Sequence, residues 1–70
     1  MRLKCECKFI GKEYKESKKG NKYIVVTLIQ NGSLLTVLSD VDVNVEFGQD
    51  VEVELFYNQR FKDLRLVSCA

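Results

Sequence analysis

An all-β barrel of five antiparallel strands is the fold this chain predicts, and three features predict it. Apolar and polar residues alternate with a period of two along most of its 70 residues, and helical periodicity is nearly absent. β-branched side chains concentrate in runs such as KYIVVTLIQ at 22–30. Asn31-Gly32 separates two apolar runs, and both residues tolerate the positive φ of a type I′ turn, so the pair signals a tight hairpin.

The elements follow in order. Residues 2–10 place Leu3, Cys5, Cys7 and Phe9 on one face and Arg2, Lys4, Glu6 and Lys8 on the other, the pattern of a half-buried strand. Residues 15–22 (KESKKGNK) read as a mobile loop. The run 22–30 suits a strand covered on both sides, or one carrying a ligand on its second face. If Ile24, Val26 and Leu28 face the core, Tyr23, Val25, Thr27 and Ile29 form its outer face. LLTVL supplies a third strand after the Asn-Gly turn. Residues 39–50 read as an extended or irregular connection, since Val41, Val43, Val45 and Phe47 alternate and the valines make DVDVNVEF a poor helix despite a possible cap at Ser39 or Asp40. Val51, Val53, Leu55 and Tyr57 then alternate with Glu52, Glu54 and Phe56, and a turn at Asn58-Gln59 returns the chain through 60–68. Five strands with a gap after the third match a five-stranded antiparallel OB-fold barrel, with an SH3-like small barrel as the alternative. Residues 1–70 have room for one such domain.

Charge is strongly segregated along the chain. Residues 1–23 carry eight basic residues against three acids, 24–57 carry six acids and no base, and Arg60, Lys62 and Arg65 oppose Asp63 near the end. The net charge of +1 therefore conceals local fields able to attract a partner of opposite sign. Aromatic residues lie among the cations: Tyr14 and Tyr23 in the first half, Phe56, Tyr57 and Phe61 in the last. Cations that follow phosphates beside rings that stack on bases are what a single-stranded nucleic acid requires. The candidate contacts are Lys15, Lys18, Lys19, Lys22 and Tyr23 on the first hairpin, with Phe56, Tyr57, Arg60, Phe61, Lys62 and Arg65 on the last. The acidic middle is expected on the connection and fourth strand, away from the groove between these hairpins. A plainer reading makes the lysine-rich tip a solvated turn and the last hairpin an edge guarded by charge.

Other chemistries find little support. There is no histidine to act as a base near neutral pH and no phosphate-cradling loop, so no catalytic residue is assigned. Cys5, Cys7 and Cys69 lack the paired spacing of a structural zinc site and read as small apolar residues; no metal or cofactor is expected. Asp40, Asp42, Glu46 and Asp50 lack the calcium-loop pattern. The charged MRLKCECK start is unlike a signal peptide, and no apolar run is long enough to span a membrane, which predicts a cytoplasmic protein. A core this small gains from a subunit partner, and a homodimer is expected.

Gly20-Asn21-Lys22-Tyr23 after a basic hairpin, the apolar strand that follows, and the closing Asp63-Leu64-Arg65-Leu66-Val67 resemble the filamentous-phage gene V family of single-stranded-DNA-binding proteins. The resemblance implies an OB barrel, a symmetric dimer, cooperative coating of single-stranded DNA and a bacterial host cell. By position it implies a stacking role for Tyr23, a DNA contact for Arg65 and an aromatic near the last hairpin at Phe56. Asp63 stands where the family has a second arginine, Lys22 where it has a proline, and the family's projecting hairpin is shortened to Asn58-Gln59. The expected function is binding of single-stranded DNA with little sequence preference, in phage or mobile-element replication. Single-stranded RNA as ligand and a protein-interaction barrel are the alternatives.

Overall fold

The alternating segments become five strands in the computed structural model, which describes residues 1–70: β1 Arg2–Glu16, β2 Lys22–Gln30, β3 Ser33–Ser39, β4 Asp50–Asn58 and β5 Asp63–Cys69. They close into a barrel in the order β1-β2-β3-β5-β4. This is the OB-type arrangement expected, with the irregular connection between β3 and β4 in place. All seams are antiparallel except β3–β5, which is parallel and consists of only Leu38↔Arg65 and Ser39↔Leu66.

β1 is longer than its alternation suggested because it serves two neighbours. Its first half pairs with β4, from Arg2↔Phe56 to Lys8↔Asp50, and its second half pairs with β2 out to Glu16↔Lys22. A register irregularity between Phe9 and Gly11 marks the change of partner, as bulges do where a barrel strand must bend. The turn before β4 docks on the same point: Phe9 N donates to Gln49 O at 2.9 Å and Gly48 N to Phe9 O at 2.7 Å.

The interior is filled from every strand. Val26, Leu28, Val53 and Leu66 are fully buried, and Cys7, Phe9, Val37, Val51 and Leu55 surround them. The inward set on β2 is the Ile24, Val26, Leu28 series read from the sequence, and Val51, Val53 and Leu55 face inward on β4. The 40–49 connection is irregular as expected, and its Val43 is buried in the core. Each buried Val or Leu contributes about 1.5–3 kcal/mol of transfer free energy. The Cys5 and Cys7 sulfurs lie 3.6 Å apart, and all three cysteines are free. Burial, with the Cys5 sulfur beside it, pushes the Cys7 thiol up to about 11. Burial also raises the Cys69 thiol.

The turns differ from expectation in length. Asn31 and Gly32 both take positive φ, 51° and 79°, as the two-residue hairpin requires. In the first hairpin Lys15, Glu16 and Lys22 belong to strands, and only 17–21 form the loop. That loop is organised by hydrogen bonds. Gly20 N donates to Ser17 O at 2.9 Å, Asn21 N to Ser17 Oγ at 3.1 Å, and Ser17 N to Asn21 O at 2.8 Å. The last turn spans 59–62, so β5 begins at Asp63 rather than at residue 60. The cause is the Asn58 side chain, whose Oδ1 accepts from Arg60 N at 3.0 Å and Phe61 N at 3.3 Å, while Lys62 adopts φ 51°. Arg60, Phe61 and Lys62 thus sit on a turn and do not alternate along a strand.

Candidate nucleic-acid interface

The two-residue turn at Asn31-Gly32 sets the β2–β3 register, and that register assembles the outer face. Val25↔Leu38, Thr27↔Thr36 and Ile29↔Leu34 stand opposite one another. Tyr23 extends the row at the end near Ser39, and Lys15 and Glu13 on β1 flank it through the pairs Lys15↔Tyr23 and Glu13↔Val25. Gly11, opposite Thr27, leaves open space beside the floor, with nothing within 4 Å of where a Cβ would lie. A groove of about 370 Å³ results, lined among others by Gly11, Lys15, Val25, Thr27 and Thr36. A second cleft of about 560 Å³ lies at the stem of the first hairpin, between Tyr14, Lys15, Glu16, Lys22, Tyr23 and Ile24.

Loops guard both ends of this face. The Ser17–Gly20 turn carries Lys18 and Lys19 beyond the Tyr23 end, followed by Lys22 at the start of β2. At the other end, the parallel β3–β5 register brings the 59–62 turn toward the level of Ser33–Leu35. There Phe61 is 69% exposed, with the Arg60 guanidinium 5.5 Å from its ring centre.

Ion pairing then decides which cations remain available. Arg2 pairs with Glu54 at 2.8 Å, Lys8 with Asp50 at 3.9 Å, Lys12 with Asp42 at 3.1 Å, and Lys15 with Glu13 at 3.6 Å. Arg65 is held twice, by Asp40 at 3.0 Å and Asp63 at 3.2 Å, and both carboxylates raise its already high pKa. Lys4, Lys18, Lys19, Lys22, Arg60 and Lys62 have no carboxylate partner within 4.0 Å. The acidic segment therefore does not lie apart from the basic ends. Four of its carboxylates neutralise terminal cations; of the six unpaired cations, four fall on the two loops beside the β2–β3 face and a fifth, Lys22, opens β2 next to the first loop.

Several candidate residues are placed differently from expectation. Tyr57 follows the inward alternation of Val53 and Leu55 and is half-buried opposite Leu64, so it is not on the outer face. Phe56 is on the outer side and 37% exposed, but it stands opposite Arg65, across β5 from β3. Arg65 ties the start of the connection to the start of β5. Tyr14 shares the inward side of β1 with Lys12, and its hydroxyl donates to Asp42 Oδ1 at 2.8 Å. That bond, and the Lys12 ammonium after it, hold the Asp42 carboxyl below the usual carboxylate range. Tyr14 and Asp42 in turn raise the Lys12 ammonium, which also donates to Val43 O. This cluster straps the connection to the first hairpin. The floor residues Thr36, Leu34 and Leu38 were not singled out from the sequence, although counting back from Asn31-Gly32 places each of them opposite a β2 partner.

No helix is long and apolar enough to cross a membrane. No protein-family model, curated protein or solved structure matches this chain.

Proposed function

We propose that this barrel binds single-stranded DNA with little sequence preference along the outer face of β2 and β3. One observation carries the reading. Of the six cations without a carboxylate partner, Lys18, Lys19, Arg60 and Lys62 lie on the two loops that bound that face, and Lys22 is the first residue of β2 beside one of them. Tyr23 at one end and Phe61 at the other supply rings for stacking, and the aliphatic and hydroxyl floor between them carries no charge to oppose a phosphate chain. Arg65 bolts the barrel and is left out of the contact set. The resemblance to the gene V family supports the same ligand and suggests a replication role for a phage or mobile element, with the protein acting as a dimer or a coat.

Gel shifts with single-stranded DNA, duplex DNA and single-stranded RNA at two salt concentrations test the reading, with light scattering on the free protein. Single-stranded DNA should bind best, with affinity falling as salt rises. Failure of every oligomer to bind at low salt refutes the nucleic-acid reading. Equal or tighter binding of RNA moves the assignment to RNA.

A further inference from the structure

We propose that the free edge of β3 is a docking strip for an extended acidic peptide, which adds a strand between β3 and the 59–62 turn. β3 is paired to β2 along its whole length, from Gln30↔Ser33 to Ile24↔Ser39. On its other side it meets β5 only at Leu38 and Ser39, so Ser33–Val37 have no strand partner there.

Exposed edges are ordinarily protected by lysine, proline, a bulge or a covering segment, because unpaired N–H and C=O groups invite another strand. None of those residue types is found in Ser33–Val37, which reads SLLTV with no charge, no proline and no glycine. No bulge interrupts its pairing with β2. Leu34 is 71% exposed on this segment, and Phe61 of the neighbouring turn is 69% exposed. An added strand gains main-chain hydrogen bonds from the edge and apolar contacts from alternate side chains.

Charge selects the occupant. Arg60 and Lys62, both without a carboxylate partner, lie on the 59–62 turn, which the Leu38↔Arg65 register, continued back along both strands, brings level with this edge. A second copy pairing β3 against β3 would bring two such turns together and set four unpaired cations against one another. A peptide alternating acidic and apolar residues meets the same turns with complementary charge.

The test uses the full 70-residue protein. Its probe is a synthetic, capped ten-residue peptide alternating aspartate or glutamate with valine or leucine, followed by amide hydrogen exchange and NMR shifts. Saturating peptide should slow exchange of the alternate amides within Ser33–Val37 that point away from β2, the others being already paired with that strand. N-methylation of alternate peptide amides, which removes strand pairing and keeps the charge, should weaken binding about tenfold or more. Leu34→Ser, which removes the apolar contact without adding charge, should weaken it comparably, and Arg60→Glu with Lys62→Glu should abolish it. Three results would overturn the proposal: unchanged affinity after N-methylation, a footprint confined to Lys18, Lys19 and Lys22, or no binding at millimolar peptide. Concentration-dependent protection of the same amides without peptide would assign the edge to a second copy and would overturn the proposal equally. Because the probe contains no nucleic acid, its outcome is independent of whether the barrel binds DNA.

Discussion

Replacing Lys18 and Lys19 with alanine tests the division between free and engaged cations quantitatively. For single strands, each neutralised phosphate contributes about −0.7 to the slope of log affinity against log salt. If Lys18, Lys19, Lys22, Arg60 and Lys62 each meet one phosphate, the wild-type slope is about −3.5. Between 50 and 200 mM salt that slope costs roughly 100-fold in affinity, whereas removal of two contacts leaves a slope of about −2.1 and a loss of roughly 20-fold. Fluorescence anisotropy with labelled oligo-dT at four or five salt concentrations resolves the difference. Lys12→Met is the control, since Lys12 is engaged by Asp42 and Val43 O and should leave the slope unchanged. Lys18 and Lys19 are exposed and make no ion pair, so the double variant should melt at the wild-type temperature. An unchanged slope in the double variant, or equal flattening by Lys12→Met, refutes the assignment of phosphate contacts by ion-pair accounting.

Three further outcomes are expected. Tyr23→Ala should weaken binding by about 1–3 kcal/mol without altering the salt slope, measured in the same titrations, because a stacked base carries no counterion release of its own. Asp42→Asn should lower the melting temperature near neutral pH. The Asp42 contribution is present above its ordinary value of 3.8 and is lost as pH falls through the depressed folded value, so the gap from wild type should close in melts taken progressively below pH 4. Leu28→Ala should destabilise the barrel by about 3 kcal/mol in urea unfolding, the usual cost of emptying a fully buried leucine site.

Most of the barrel could be read from the chain because its signals are local. Alternation separated the inward and outward residues of β4, the apolar run of β2 left its inward set conditional on one choice of phase, and Asn31-Gly32 placed a turn whose geometry then fixes every β2–β3 pair. What was not legible depends on distant partners or on side-chain hydrogen bonding. The length of β1 follows from its change of neighbour at Phe9 and Gly11, which no pattern within 2–16 announces. The last turn is longer than two residues because the Asn58 side chain accepts two backbone N–H groups, a hydrogen-bonding choice that the Asn58-Gln59 pair does not reveal by itself. The pairing of Lys12 with Asp42 and of Arg65 with Asp40 joins residues 30 and 25 positions apart. Linear charge segregation therefore suggested two separate faces, whereas folding pairs five of the eleven cations with acids and leaves four of the six unpaired ones on the two loops.

The double duty of β1 also bears on the order in which the barrel forms. Its second half pairs with β2 across a five-residue loop, a local closure that a chain makes within microseconds. Its first half waits for β4, as the Arg2–Glu54 contact across 52 positions illustrates. The β1–β2–β3 meander is thus the natural nucleus, and the hydrophobic face it presents stays open until β4 and β5 arrive. Substitutions on β2 should slow folding, whereas those at the two-residue β3–β5 seam should chiefly hasten unfolding.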